Sequence, residues 1–278
     1  MKTILVPTDF SPVAKNAVHY AIELAKQASI QKIILYHVYE IPVTGDPISP
    51  MLQMIDVDEL KKSCEANMQH FSTIQLRDYD MDGVELETIC ELGALTSNIE
   101  AFCEKIKIEF IVMGITGVGM LEETLMGSNS VSVAKQLTVP VIIVPADARF
   151  VKLERVMLAC DFKKMIETTP VGPIRELINI SGARLFVLHV DHINEKFSTE
   201  KREEMKILDE LLLGLQPVYL FVDNDDFTEA INSAAEKNEI DLIITIPKKH
   251  SFFEGLFKRS HLRMMACHNH TPLMVVHE

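Results

Sequence analysis

The chain carries two copies of one sequence pattern, and this repetition constrains the fold more than any other feature. The run IILYHV at 33–38 is echoed by LFVLHV at 185–190, and Thr8-Asp9-Phe10 by Cys160-Asp161-Phe162, both at an offset of 152 positions. Farther along, 110–113 is echoed by 242–245 and 138–141 by 270–273, both at an offset of 132. Matches in the same order at two offsets indicate duplication of a unit of about 140 residues, of which the second copy has lost about 20.

The boundary between the copies falls near 146–152, which predicts two domains, 1–147 and 148–278. A chain of 278 residues is long enough for two domains of ordinary size. With 47% hydrophobic and 24% charged residues, its composition is typical of a soluble globular protein.

Each copy alternates apolar strands with amphipathic helices. In the first copy the pattern predicts strands at Thr3–Pro7, 32–38, 84–91, 109–114 and 139–144, and helices from Ser11-Pro12, over about 57–76, over 95–106 and over Ser128–Gln136. Apolar strands separated by helices indicate a parallel sheet that is covered on both faces. The predicted fold is therefore α/β, with two tandem, doubly wound, parallel five-stranded sheets of the Rossmann-like or flavodoxin-like type. A ligand would bind beyond the carboxyl ends of the strands, at a topological switch point.

Charge and cysteine usage narrow the class of protein. The formal net charge of -13 argues against nonspecific binding to nucleic acid or to anionic membranes, which needs a positive field. No signal-peptide core and no window of 18 uncharged apolar residues is found, so we expect a cytoplasmic protein. The five cysteines are odd in number and show no CxxC pair, which predicts free thiols.

A glycine pattern follows the fourth strand of the first copy. Gly114 is followed after two residues by Gly117 and after nine more by Gly127, which stands directly before Ser128 at the start of a predicted helix. Glycines at a strand end and a helix N-terminus let backbone amides approach phosphate oxygens closely. The alternative is a simple turn followed by an ordinary helix cap, and spacing alone does not decide between the two.

The motifs of the first copy resemble the universal stress protein family, and in particular its ATP-binding members. They are VPTDFS near the N-terminus, the strand ending in His37-Val38, the glycine pattern from Met113 to Ser130, and Pro140 before the last strand. The resemblance implies that adenine and ribose are surrounded by Pro7, Thr8, Asp9 and Val38. It implies that Met113, Gly114 and Gly117 line the ribose and phosphate side, and that the phosphates are held by Gly127, Ser128, Asn129 and Ser130. Because no basic residue lies between Gly117 and Gly127, backbone amides would meet the phosphate charge, with Mg²⁺ or Mn²⁺ as a further candidate.

The second copy departs from this pattern. Ile246, Lys249 and Arg259 stand where the first copy has its three glycines, and only Ser128 has a counterpart, Ser260. Side chains at these positions would block the approach of the backbone to a phosphate, so we expect this copy not to bind ATP in the family's way. Its basic loop, which contains Lys248, Lys249, Lys258, Arg259 and Arg263, is either an anion site or a solvated surface.

Two other clusters carry weaker signals. His261, Cys267, His268 and His270 match no standard zinc spacing. His37 and His189 occupy equivalent positions in apolar strands, which is typical of hydrogen-bonded strand-end histidines rather than of catalysts. No nucleophile is accompanied by a base, so the sequence supplies no catalytic residue.

The function predicted from the sequence is ATP binding by the first copy of a stress-response sensor or signalling module. The alternatives are a slow metal-dependent ATP hydrolase in the same crevice, and an interaction scaffold that binds no nucleotide. The last strands of the two copies, 139–144 and 271–277, are predicted to contact each other as an internal pseudo-dimer, and a homodimer is a further option.

Overall fold

The computed structural model describes residues 1–41, 56–77, 79–81, 83–115, 128–160, 166, 169–191, 199–247 and 271–277. The strands of the first half are β1 (Thr3–Pro7), β2 (Lys32–Tyr39), β3 (Glu85–Leu92), β4 (Phe110–Ile115) and β5 (Val141–Pro145). Its helices are α1 (Pro12–Gln27), α2 (Val57–His70), α3 (Leu95–Lys105) and α4 (Ser128–Gln136). The strands of the second half are β6 (Arg155–Cys160), β7 (Arg184–Asp191), β8 (Val218–Asp223), β9 (Leu242–Thr245) and β10 (Leu273–Val275). Its helices are α5 (Val171–Ser181), α6 (Thr199–Leu211) and α7 (Phe227–Lys237).

The strands form one ten-stranded sheet in the order β3-β2-β1-β4-β5-β10-β9-β6-β7-β8. Within each half all neighbouring strands are parallel, and both halves have the same strand order. The two halves meet at β5 and β10, which pair antiparallel with Leu273 opposite Ile143 and Val275 opposite Val141. The structure therefore confirms the α/β fold, and it continues the two five-stranded sheets into a single sheet.

Two apolar layers cover the faces of this sheet. On one face, helices α1, α2, α5 and α6 pack against the sheet; their buried residues include Ala21, Met68, Leu177 and Leu208. The other layer packs α3, α4 and α7 on the opposite face, through residues such as Ile99, Ala134 and Ile231. Each layer contains buried residues of both halves, so the core is continuous across the β5–β10 pair.

Helix α1 begins as the sequence predicts. The Ser11 side chain accepts a hydrogen bond from the Ala14 amide at 3.2 Å, and Pro12 occupies the first turn, where its missing N–H is not needed. The buried face of the helix includes Ala17, Ala21 and Leu24. Alanines on this face, Ala14, Ala17 and Ala21 among them, permit a close approach of the helix to the sheet.

Helix α2 ends earlier than predicted. Its α-helical geometry stops at His70, and a π-helical segment follows at Phe71–Gln75. This wider turn places the ring of Phe71 in the core, where the residue is 1% exposed. Segments of π-helix inside helices often lie beside functional sites.

The prediction of free thiols is wrong for one pair of cysteines. Cys64 of α2 and Cys90 of β3 form a disulfide, with Cα atoms 6.4 Å apart. The pair arises because α2 packs on β3, which no local spacing motif reveals. Among the described residues, Cys103 and Cys160 are not part of a disulfide.

The connection between the halves is held by two side chains of α1. Asn16 Nδ2 donates to Pro145 O at 3.1 Å and to Ala148 O at 2.9 Å, and Asn16 Oδ1 accepts from Arg149 Nη1 at 2.7 Å. Gln27 exchanges two hydrogen bonds with the backbone of Leu153 and donates a third to Ser181 O. The first half therefore binds the connecting segment through buried and half-buried amides.

Within the described part of the chain, no helix is both long and apolar enough to cross a membrane.

Candidate functional site

The carboxyl ends of β1, β2 and β4 define a crevice at the switch point of the first half. Strand β1 is flanked by β2 on one side and by β4 on the other, with Leu5 opposite both Ile34 and Ile111. The chain runs from β1 to β2 to β3 on one side, and then crosses over to β4. Ligands of open α/β sheets bind where the order reverses in this way.

The end of β1 makes a tight turn into α1. Pro7 and Thr8 are buried, and the Thr8 amide donates to Tyr36 O at 2.9 Å. Asp9 is exposed, and its Oδ1 accepts from the Ser11 amide at 3.0 Å. The turn therefore holds the Asp9 carboxylate at the mouth of the crevice.

Phe10 adopts a backbone conformation that is rare for its residue type. Its φ is 66°, in the left-handed region that a residue with a Cβ seldom occupies, and its amide donates to Thr8 Oγ1 at 3.1 Å. A glycine in the sequence often indicates a positive φ, but this position carries phenylalanine, so the sequence does not predict the strain.

An aromatic wall lines the β2 side of the crevice and consists of Phe10, His37 and Phe71. The Phe10 ring lies 4.5 Å from the His37 ring and 5.6 Å from the Phe71 ring, centroid to centroid. His37 Nδ1 donates to Thr8 O at 2.7 Å, which confirms the expectation of a hydrogen-bonded strand-end histidine. Val38, the next residue, is half-buried and packs against the opposite core layer.

The end of β4 meets the first turn of α1 closely. A Cβ atom on Gly114 would lie 2.6 Å from both Val13 Cγ1 and Val13 O. The absent side chain at Gly114 is therefore explained by helix packing, whatever ligand the crevice holds. Met113, which precedes it, is 6% exposed and lies in the core.

Helix α4 starts beside the end of β4 and is tied to it by a hydrogen bond. The hydroxyl of Ser130, a buried residue, donates to Gly114 O at 2.7 Å. Asn129 is exposed, and Ser128 is the first helical residue. Amides in the first turn of a helix lack intrahelical partners and point along the axis. The Ser130 bond fixes the position of these amides, and it occupies the donor of that hydroxyl.

A carboxylate that the sequence analysis missed lies on the β3 side. Glu91 stands opposite Val38 in the parallel register, and the Tyr36 hydroxyl donates to its Oε2. Burial, together with this hydrogen bond, raises the pKa of Tyr36 far above its usual value, so the phenol stays protonated. The sequence does carry a signal for Glu91, because it is the last residue of the predicted third strand and so belongs to the carboxyl end of the sheet.

The structure therefore gathers Pro7, Thr8, Asp9, Val38, Met113, Gly114, Ser128, Asn129 and Ser130 around the β1–β4 switch point. Gly117 and Gly127 lie outside the described residues, as do the basic loop of the second half and its histidine and cysteine cluster. In the described part of the chain, no group of three His, Cys, Asp or Glu side chains is arranged to hold a metal ion.

The second half repeats the scaffold of the crevice but not its glycine. His189 Nδ1 donates to Cys160 O at 3.3 Å, in the same way as His37 donates to Thr8 O. Ile246 occupies the place of Gly114 and is 2% exposed.

The strand order and the position of the switch point define a doubly wound α/β protein of the flavodoxin-like type. Residues 1–145 match the sequence model of the Universal stress protein family, and the chain belongs to this family. A universal stress protein of Methanocaldococcus jannaschii is 33% identical over 143 residues, covering 51% of this chain and 81% of that protein.

The likeness of the fold extends over the whole chain. The crystal structure of a universal stress protein from Archaeoglobus fulgidus superposes with a TM-score of 0.70, is 19% identical, and covers 99% of this chain and 98% of its own. A universal stress protein solved in complex with cAMP is 24% identical and covers 51% of this chain and 96% of its own, with a TM-score of 0.38.

Proposed function

We propose that this universal stress protein is a stress-response sensor whose first half binds ATP or a related adenine nucleotide in the β1–β4 crevice. The observation that supports it best is the convergence of Asp9, Val38 and the N-terminus of α4 on one switch point. These are groups of the kinds that the sequence resemblance assigns to ribose, base and phosphate.

The ribose would be bound at Asp9. Its Oδ1 accepts from the Ser11 amide, and its Oδ2 carries no hydrogen bond to the rest of the described chain. An exposed carboxylate oxygen at the end of β1 is a suitable acceptor for the two hydroxyls of a ribose. Pro7 and Val38 supply apolar surface for the base on either side of that strand end.

The phosphates would be bound at the N-terminus of α4. The first-turn amides of Ser128, Asn129 and Ser130 provide donors and a positive dipole end, and the Ser130–Gly114 hydrogen bond fixes their position. Since the Ser130 hydroxyl is engaged with Gly114 O, this residue would contact phosphate through its amide. Mg²⁺ or Mn²⁺ would supply the remaining positive charge, since the sequence between Gly117 and Gly127 holds no basic residue.

The second half would serve as a structural partner and not as a second nucleotide site. Ile246, which is 2% exposed, places a buried side chain at the strand end where the first half has Gly114. The repeated strand order and the antiparallel β5–β10 pair support two domains, 1–147 and 148–278, joined as an internal pseudo-dimer.

The test is calorimetric titration of ATP with Mg²⁺ into the full chain and into three variants. We expect one site per chain, weakened at least about tenfold in Asp9→Ala, because a hydrogen bond to a charged group contributes about 1.5–3 kcal/mol. Gly127→Arg, which copies the second half, should abolish binding. Asp161→Ala, the sequence counterpart of Asp9 in the second repeat, is the matched control and should bind normally.

The same samples separate binding from hydrolysis. ADP release measured during the titration should stay far below the turnover of a metabolic enzyme, typically 1–1000 per second. Two sites per chain, or a loss in Asp161→Ala but not in Asp9→Ala, would contradict the assignment to the first half. No binding in any protein would favour the interaction scaffold.

A further inference from the structure

The Cys64–Cys90 disulfide lies directly beside the candidate site. In the parallel register of β2 and β3, Cys90 stands opposite His37, and both side chains belong to the face of the sheet that α1 and α2 cover. We propose that Cys64 and Cys90 form a reversible thiol–disulfide exchange site, and that its oxidation state controls the order of the aromatic wall of Phe10, His37 and Phe71.

Helix α2 is attached to the sheet by few side chains. Of its fourteen residues, only Cys64 and Met68 are buried. A solvent-exposed helix with so few apolar contacts has little packing energy of its own. The covalent bond to Cys90 is therefore a principal anchor of α2, and reduction would loosen the helix.

The loosened helix would act on the crevice through the wall. Phe71 follows directly after the last residue of α2, and its ring contacts Phe10 at 5.6 Å. Phe10 in turn lies 4.5 Å from His37, which holds the Thr8 carbonyl at 2.7 Å. Because Phe10 has a strained backbone conformation and its ring contacts both neighbours, it is the residue that should move first when Phe71 becomes mobile.

The exchange step needs a dithiol as its reaction partner. Cys64 is 4% exposed and Cys90 is half-buried, so an attacking thiolate would reach the Cys90 sulfur first. Attack breaks the Sγ–Sγ bond, forms a mixed disulfide at Cys90, and releases Cys64 as a thiolate that takes up a proton. The second thiol of the reductant then resolves the mixed disulfide and frees Cys90, so that two electrons and two protons pass to the protein.

Cys103, a further cysteine of the first half, is a poor competitor for this chemistry. It lies on α3 and packs against the opposite core layer. Burial raises its pKa to about 11, which leaves little reactive thiolate near neutral pH. Cys103→Ser is accordingly a matched control for the loss of one thiol.

The experiment compares the full chain in its disulfide form and after treatment with dithiothreitol, with mass spectrometry to confirm the thiol count. Hydrogen exchange over α2 and the NMR signals of Phe10 and His37 report on the wall without any ligand. On reduction we expect faster exchange in α2 and shifted signals for both residues. The proposal is overturned if these signals stay unchanged in protein whose disulfide has been reduced.

Two variants and one ligand complete the test. Cys64→Ala should resemble reduced protein and should not respond to dithiothreitol, while Cys103→Ser should respond like the original chain; the opposite pattern would contradict the proposal.

The effect on ligand binding rests on the proposed function: reduction should weaken ATP binding at least about fivefold, the low end of coupling between two sites. Equal affinity in both forms would refute control of the crevice. Absence of ATP binding in both forms, with the redox-dependent shifts intact, would refute the nucleotide assignment and support the thiol switch.

Discussion

At Gly114 the need for glycine comes from the neighbouring helix. The atoms that a Cβ would meet are Val13 Cγ1 and the Val13 carbonyl oxygen, both at 2.6 Å. The side-chain atom can move, but the carbonyl belongs to the first turn of α1 and cannot. The close contact at Gly114 therefore fixes the end of β4 against the start of α1, directly after the turn that carries Asp9.

Gly114→Ala should destabilise the protein by about 1–3 kcal/mol, the usual cost of overpacking a buried contact. Urea unfolding measures the change. Gly172→Ala is the matched control, because a Cβ there meets nothing within 4 Å and α5 gains a better helix former, so its stability should stay equal or rise. Rescue of Gly114→Ala by Val13→Ala would contradict the role given to the carbonyl.

His19 makes stability depend on pH. Burial, helped by Lys15 and Arg149, lowers the pKa of His19 from 6.5 to about 4, and its ring is stacked 3.6 Å from that of Tyr79. The folded state thus keeps the ring neutral, while the unfolded chain takes up a proton near pH 6.5. The unfolded chain therefore binds more protons than the folded protein between pH 6.5 and pH 4. The free energy of unfolding is unaffected by His19 above pH 6.5 and decreases as the pH falls towards 4.

We expect His19 to account for a loss of about 1–2 kcal/mol between pH 7 and pH 4, allowing for solvent screening of a half-buried ring. The measurement is urea unfolding at several pH values. His19→Phe keeps an aromatic ring against Tyr79 but cannot titrate, so its stability should fall less over this range. Identical slopes in the two proteins would assign the pH dependence to other groups.

At the scale of elements, α1 joins the two halves. Asn16 is 9% exposed and uses both its amide groups on the segment that follows β5. The helix therefore supports the sheet of its own half and at the same time holds the start of the connection to the next.

Asn16→Ala should cost about 2–4 kcal/mol, because it leaves the carbonyls of Pro145 and Ala148 and the Arg149 guanidinium without this partner. Thermal unfolding gives the value. Asn67→Ala on the exposed surface of α2 is the control and should change stability by less than about 0.5 kcal/mol. A cost as small as that of the control would show that water replaces the buried amide.

Local sequence rules predict the strands and α1 closely, because their causes are local. Apolar runs, a serine cap and a proline in the first turn act within a few residues. Repetition also carries over to contacts: Glu109 Oε2 accepts from the Thr3 amide, and Asp241 Oδ2 accepts from the Arg155 amide in the second half. The offsets found in the sequence thus predict equivalent positions in space.

Other features of the fold depend on how helices pack on the sheet, and a single sequence does not reveal those long-range contacts. The Cys64–Cys90 bond, the π-helical segment at Phe71–Gln75 and the positive φ of Phe10 all arise where α2 and α1 pack on the sheet. The steric reason for Gly114 belongs to the same group, since spacing alone suggested a ligand. The predicted site residues that the structure describes lie at the strand ends and at the start of α4, whereas the aromatic wall and Glu91 were found only in the structure.

At the scale of the whole molecule, the continuous core predicts one cooperative unfolding transition. Both apolar layers run through the antiparallel β5–β10 pair, which we call the seam. Neither half therefore has a core of its own that ends there. Residue-resolved hydrogen exchange in urea should give the same opening free energy for amides of β1 and β6. Opening of β6 well before β1 would show that the halves unfold separately.

Met274→Lys tests the seam directly. Met274 is fully buried in β10, opposite Ile142, and an unpaired charge there should cost more than about 4 kcal/mol and destabilise both halves. Leu213→Lys, at a position that is 76% exposed, is the control and should stay within about 0.5 kcal/mol. Destabilisation confined to the second half would contradict a shared core.

The position of β10 also bears on how the protein is made. Of the ten strands described, β10 is the last to leave the ribosome, yet it lies in the middle of the sheet between β5 and β9. At about 5–20 residues per second, the edge of β5 waits on the order of ten seconds, and that of β9 a few seconds, before β10 is synthesised. During that interval a finished first half exposes an apolar strand edge to every other nascent chain nearby, and the cell's chaperones are the natural agents to cover it.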